Sequence, residues 1–165
     1  MLTEIETKAI DAAARAFGHK RCGAADALSV IQKSRGWISD HALTDLAAYL
    51  HMTTAELDET ATFYNRIYRR PVGKHVILLC DSVSCWICGY GPLQEYLLKT
   101  LGLSRLCETT TDGMFTVLPA ACLGACDHAP AMMVDDELFG DLTAEKIDQI
   151  LQKIRTAPDI GVKRS

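Results

Sequence analysis

Val76-Ile77-Leu78-Leu79-Cys80-Asp81-Ser82-Val83-Ser84-Cys85 begins as an apolar run and ends as a pair of thiols. Four consecutive aliphatic residues without alternation suit a short strand buried on both faces. A strand fixes where its end points, so Cys80 and the loop beyond it are placed by that strand. Met114 to Leu118 leads in the same way to Cys122-Leu123-Gly124-Ala125-Cys126. Each thiol pair is expected on a short irregular segment that can wrap its backbone around something small.

Outward from these two segments the period changes between strand and helix. Gly89-Tyr90-Gly91-Pro92 opens a helix carrying Leu93, Tyr96, Leu97 and Leu98, with Pro92 expected at the first helical position and Gly102 beyond the end. Glu108 to Thr111 and Met114 to Leu118 flank Asp112-Gly113, a strong hairpin signal. Ala131 to Val134 and Leu138-Phe139, around Asp135-Asp136-Glu137, predict a second hairpin. Thr143 caps a final helix with Ile147, Ile150, Leu151 and Ile154 on one face. Strand, helix, strands, helix is the order of a small thioredoxin-like α/β domain, assigned to residues 73–157. Residues 158–165 read as a loose tail.

The first 72 residues predict a helical bundle, making the whole an α/β (α+β) chain. Thr3 and Glu6 form a capping box ahead of Ile5, Ala9, Ile10, Ala13 and Phe17, and Gly18 ends that run. A second helix carries Ala24, Ala27, Leu28 and Ile31 and stops at Gly36. Ser39 or Asp40 caps a third, with Leu43, Leu46, Ala47 and Leu50 on one face. Thr53 and Glu56 make a second capping box for a fourth helix with Leu57, and Phe63, Tyr64 and Ile67 continue past it. Pro71 and Gly73 close the region.

Composition narrows the function. The chain of 165 residues is 48% apolar and 23% charged with a net charge of −4, so it carries no electrostatic footprint for nucleic acid. No apolar run is long enough to insert directly in a membrane, and the acidic, amphipathic N-terminus is no secretory signal. Seven cysteines in a chain that reads as cytosolic favour metal or redox chemistry over a disulfide framework.

Soft thiolates select iron–sulfur clusters, zinc or copper(I). A [2Fe-2S] cluster needs two thiolates per iron, and two separate pairs supply them naturally. Four thiolates and two sulfides on two ferric ions leave a net charge of −2, so backbone N–H donors are wanted around the sulfurs. Gly124 lets the main chain approach closely with positive φ, and the helix near Pro92 would aim its N-terminus at the Cys85 loop. Zinc is the second reading, although structural zinc sites favour two residues between paired cysteines. Thiol–disulfide exchange at Cys85-Trp86-Ile87-Cys88 is the third, and it leaves Cys80, Cys122 and Cys126 without a role. Cys88 is read as a bystander or substitute ligand.

Cys22 and Cys107 stand alone and are expected to pack in the interior. His128 reads as a loop hydrogen-bonder, because no histidine flanks Cys80 or Cys85 as a Rieske centre requires. Arg66, Arg69 and Arg70 read as a solvated helix end, and Trp37 and Trp86 as core or rim residues. Neither G-x-G-x-x-G after a strand nor a P-loop is present, so if the chain works in NADH chemistry its flavin and nucleotide sites are expected on another subunit, and no complete active site is expected on this chain.

The chain resembles the thioredoxin-like [2Fe-2S] ferredoxin family, in the form found in bacterial NADH:quinone oxidoreductase (respiratory complex I). The resemblance is carried by Ala61-Thr62-Phe63-Tyr64, Pro71-Val72-Gly73-Lys74-His75-Val76, Cys80-Asp81-Ser82-Val83 leading to Cys85, and Gly89-Tyr90. Leu118-Pro119 leading to Cys122-Leu123-Gly124-Ala125-Cys126, then Pro130, Met132 and Met133, continue it. It implies one [2Fe-2S] cluster on Cys80, Cys85, Cys122 and Cys126. It also implies an FMN/NADH-binding partner subunit, with an iron–sulfur subunit next to it, and electron transfer during NADH oxidation. The family's cluster sits beside the main wire of clusters leading to quinone, rather than on it. The implied location is cytoplasmic, peripheral on the inner face of the cell membrane through the complex. Relatives with the same pattern serve NAD-reducing hydrogenases and NAD-dependent formate dehydrogenases. Cys88 departs from the family pattern. An all-cysteine centre of net charge −2 is expected at low potential, roughly −400 mV.

Overall fold

The protein, described from a computed structural model, is defined for residues 1–15 and 18–156. Its chain divides into two compact units, Met1–Pro71 and a second beginning at Val72.

In the first unit four helices follow the capping signals: α1 (Glu4–Ala14), α2 (Ala24–Arg35), α3 (Asp40–Leu50) and α4 (Thr54–Phe63). Both capping boxes, Thr3/Glu6 and Thr53/Glu56, are formed, and Ser39 rather than Asp40 caps α3 through the Ala42 amide. Ile10, Leu28, Ile31, Ile38, Leu46, Leu50 and Leu57 make its aliphatic core. The inward face of α1 is not the expected one. Glu6, Ile10 and Ala14 point in and Ile5 points out; the predicted core residue Phe17 lies outside the described residues. Glu6 turns inward because Arg35 meets it there: Nε and Nη2 of Arg35 donate to the two carboxylate oxygens, each at 2.8 Å. Ser34 Oγ and the Thr3 amide complete four hydrogen bonds, and these donors, the guanidinium above all, hold the carboxyl down at about 2. Arg69 also departs from expectation. Helix α4 ends before it, and its guanidinium donates to Asp58 (2.6 Å), Asp40 (2.7 Å) and the Ile38 carbonyl, stitching three segments together.

The second unit is built on a mixed four-stranded sheet in the order β2-β1-β3-β4. Strand β1 (His75–Cys80) pairs parallel with β2 (Phe115–Ala120), His75 opposite Phe115 and Cys80 opposite Ala120. A parallel pair needs a long crossover, supplied by α5 (Val83–Ile87), α6 (Tyr90–Leu101) and the segment after them. Strand β3 (Met132–Val134) runs antiparallel to β1 and forms the predicted hairpin with β4 (Glu137–Phe139). Asp135, at φ 52°, makes the turn and ties it back through His75 Nδ1 at 2.6 Å. Helix α7 (Ala144–Thr156) starts at Thr143, whose hydroxyl accepts from the Lys146 amide.

Alternation along β1 divides its side chains. Ile77 and Leu79 join Leu97, Phe115, Val117, Met132, Ile147 and Leu151 in one core, whereas Cys80 belongs to a separate cluster with Cys85 and Ala131. Three local expectations are corrected. Pro92 is the third residue of α6, not the first, and Gly89 at φ 104° takes the cap position; a proline is tolerated there because the first-turn amides have no helical acceptor. The arm before Asp112-Gly113 forms no named strand; it meets β2 through one bridge, Thr109 to Thr116, and through the Thr110 and Val117 amides, which donate to the Phe115 and Glu108 carbonyls. Thr110 Oγ1 and Asp112 Oδ1 take the Phe115 and Met114 amides, so side chains replace part of the ladder. The first thiol loop is not irregular throughout, since Cys85 sits inside the five-residue helix α5. The predicted C-terminal tail lies outside the described residues.

Candidate metal centre

Parallel pairing decides the geometry of the thiols. Because β1 and β2 run the same way in register, their C-terminal ends lie side by side, about 5 Å apart in the hydrogen-bonding direction. The Asp81 amide still donates to the Ala120 carbonyl, at 3.0 Å, as the two chains leave the sheet. Cys80 therefore ends one strand while Cys122 lies two residues past the end of its neighbour. Two loops bearing thiol pairs leave one edge together.

The first pair is interior. Cys80 and Cys85 are 3% and 2% exposed, pack with Ala131, and their thiols are in hydrogen-bonding contact. Burial, then Cys80, pushes the Cys85 thiol up to about 11; the Ala131 amide, donating to its sulfur, acts the other way. Cys126 lies near enough to raise it further by like charge. Burial likewise raises the Tyr90 hydroxyl, with Asp81 and Cys80 adding to it. The second pair, Cys122 and Cys126, is exposed. Gly124 at φ 79° turns the loop so that its amide faces Cys122 Sγ at 3.4 Å. Leu123 and Ala125 from this loop pack on the Cys80–Cys85–Ala131 cluster. The structure thus brings Cys80, Cys85 and Cys126 into one neighbourhood and ties Cys122 to its own loop through Gly124.

This donor set suits a diiron cluster. Soft sulfur arrives as two pairs, with backbone N–H groups aimed at Cys85 and Cys122 and an apolar lining on one side. Among the described residues no three His, Cys, Asp or Glu side chains are gathered around a point where one metal ion could sit. Thiol exchange fits the geometry poorly, since it wants an accessible thiol with a depressed pKa, and Cys85 is buried and raised.

Other singled-out residues fall as follows. Cys88 caps the C-terminal end of α5 and is exposed. Cys22 and Cys107, expected inside, are exposed. Cys22 lies on the short 3-10 turn Lys20–Gly23, and Cys107 occupies a left-handed conformation (φ 66°) in a surface connection. Trp37 is half-buried. Trp86 is 65% exposed and stacks on Tyr90, with Val83 and Ile87 beside it in the solvent-facing part of α5. His128 is the loop hydrogen-bonder its position suggests, with Nδ1 2.8 Å from Asp141, and that contact raises its pKa. Sequence reasoning missed the Ala131 amide and the Asp141 partner. Neither carries a local signature, because both act across long separations in the chain.

With this geometry in view, known proteins supply the context. A family model described as "Thioredoxin-like [2Fe-2S] ferredoxin" matches residues 10–155. A protein from Escherichia coli strain K12, named as a subunit of NADH-quinone oxidoreductase, is 40% identical over 154 residues, covering 93% of this chain and 92% of its own. Its namesake from Pseudomonas aeruginosa is 38% identical over 152 residues, covering 92% and 91%. Among solved structures, an NAD+-reducing [NiFe]-hydrogenase in the H2-reduced state aligns with a TM-score of 0.66 and 26% identity over 80% of this chain. The chain spans 22% of that hydrogenase chain. No helix among the described residues is long and apolar enough to cross a membrane. The chain therefore belongs to the thioredoxin-like [2Fe-2S] ferredoxin family.

Proposed function

We propose that the chain is the electron-transfer subunit of an NADH:quinone oxidoreductase, exchanging single electrons with FMN on a partner subunit while NADH is oxidised there. Cys80, Cys85, Cys122 and Cys126 would hold one [2Fe-2S] cluster within residues 73–157. Residues 1–72 are the part proposed to dock on the flavin subunit, with an iron–sulfur subunit next to it. When bound, the cluster supplies a low-potential one-electron carrier. The chain's own residues do the rest. The strand ends set the two pairs side by side, Ala131 and Gly124 direct N–H groups at sulfur, and Ala131, Leu123 and Ala125 keep water from the inner pair.

The observation that supports this most is the parallel β1–β2 register, which delivers both pairs of thiols to one edge of a fold whose family is named for the cluster. The complex-I reading draws on relatives at 38–40% identity that match over more than nine-tenths of both chains. The likeness to an NAD+-reducing hydrogenase supports a second reading, the equivalent subunit of such an enzyme. Both readings are tested by purifying the native assembly through a tag on this chain and freezing it after NADH addition. Co-purifying flavoprotein and quinone-reducing subunits, with an S = 1/2 signal from this chain's cluster under reduction, is the expected result. Co-purification with a nickel subunit would select the hydrogenase reading. Isolation with a single zinc and no sulfide would overturn both.

A further inference from the structure

Cys126 and Ala131 lie at the two ends of one short segment, and they touch different halves of the proposed site. Cys126 belongs to the outer thiol pair, whereas Ala131 packs on Cys80 and Cys85 and directs its amide at Cys85 sulfur. The Ala131 carbonyl also accepts from the Cys80 amide at 3.1 Å. Whatever fixes residues 126–131 therefore fixes the Cys126 end of the outer pair relative to the inner sulfurs.

Residues 140–142, after β4, grip this segment at several points. The Asp141 amide donates to the His128 carbonyl at 2.6 Å, and the Leu142 amide to the Pro130 carbonyl at 3.1 Å. The Asp141 carboxylate meets His128 Nδ1 at 2.8 Å, so Asp141 holds one residue by both backbone and side chain. Asp141 adopts a left-handed φ of 47°, uncommon for a residue with a side chain, and Leu142 is anchored in the core. Gly140 lies directly against the same residue. A Cβ there would stand 2.4 Å from His128 Cβ and 2.7 Å from its carbonyl oxygen, so only glycine permits the approach.

We infer that Gly140 and Asp141 are positioning residues for the metal centre, acting through His128 to set the Cys126 sulfur against the Cys80/Cys85 pair. The inference rests on the proposed four-cysteine ligation. Outer partners that orient metal ligands typically matter by 10–100-fold in metal affinity. Asparagine at 141 keeps an acceptor for His128 Nδ1–H and tolerates left-handed φ, whereas alanine does neither.

The test compares wild type, Asp141→Ala, Asp141→Asn and Gly140→Ala, each reconstituted anaerobically with iron and sulfide. Three quantities are read: the bleaching rate in excess EDTA, the EPR line shape after reduction, and the thermal midpoint of the apoprotein. Asp141→Ala and Gly140→Ala should bleach about tenfold faster with altered g-values, and Asp141→Asn should stay near wild type. A merely structural role would lower the thermal midpoint while leaving bleaching and line shape at wild-type values, and that result overturns the inference. A wild-type chain that forms no diiron signal would sink the ligand reading itself, and the inference with it.

Discussion

Each unit of the molecule buries one chemically demanding group, and the two are treated in opposite ways. In the helical unit Glu6 is 3% exposed and accepts four hydrogen bonds, two of them from one guanidinium. Its charge is answered entirely by the protein, so that site is structure and nothing more. In the sheet unit Cys80 and Cys85 are equally buried, yet their thiols touch each other and only the Cys85 sulfur takes an amide donor, from Ala131, while Cys122 and Cys126 stand exposed. Burial disfavours the Cys85 thiolate there, so holding it ionised would take a bound cation. A buried charge with all its partners marks a finished core, whereas paired soft donors are what the proposed cluster would need.

The sharpest way to break this contrast is to remove a thiol. Cys85→Ser should abolish cluster assembly, reducing bound iron to background, and Cys80→Ser should do the same. Cys122→Ser and Cys126→Ser should leave altered or short-lived clusters. If all four single variants retained a wild-type visible and EPR spectrum, the ligand assignment would fall.

Alkylation resolves the same asymmetry in the apoprotein. With its thiol raised to about 11, Cys85 carries roughly a hundredfold less thiolate than an ordinary cysteine near neutral pH. Mass spectrometry of timed iodoacetamide labelling should find the exposed Cys22, Cys88, Cys107, Cys122 and Cys126 modified first and Cys80 and Cys85 last. After reconstitution Cys122 and Cys126 should become protected while Cys88 stays reactive. Protection of Cys88 on reconstitution would place it among the ligands.

On the helical side the effect is smaller and purely thermodynamic. The folded pKa of Glu6 lies near 2, below its ordinary 4.5. The stabilisation is therefore complete above about pH 4.5 and disappears as pH falls through 2. Glu6→Gln should cost on the order of 2–3 kcal/mol at pH 7 and much less at pH 2. A chemical-denaturation series across that range checks the sign; equal cost at both ends would contradict the ion-pair account. Smallest of all, Cys22→Ser and Cys107→Ser, both on the surface, should change stability by no more than about 0.5 kcal/mol and leave the cluster intact.

What the sequence makes legible follows the range of the forces involved. Helix ends written in neighbouring residues, such as Thr3 with Glu6, Thr53 with Glu56 and Thr143, can be read directly, as can the unbroken aliphatic run of β1. The thiol spacing points to soft-metal chemistry before any fold is known. Helix α5 escapes because five residues are too few to display a helical period. Arg69 and Glu6 mislead because their partners, Asp40 with Asp58 and Arg35, are distant in the chain. Cys22 and Cys107 mislead because the residue type is usually buried, while a 3-10 turn and a left-handed backbone put these two outside. The clamp of Gly140 and Asp141 on His128 leaves no trace in the local sequence, since it exists only once β3 and β4 have folded back on the sheet.

Iron and acid-labile sulfide counted per chain, on protein purified anaerobically and then reduced for EPR, test the diiron centre most directly. About two irons and two sulfides with an S = 1/2 signal are predicted. One zinc per chain, with no sulfide and no signal, would contradict it.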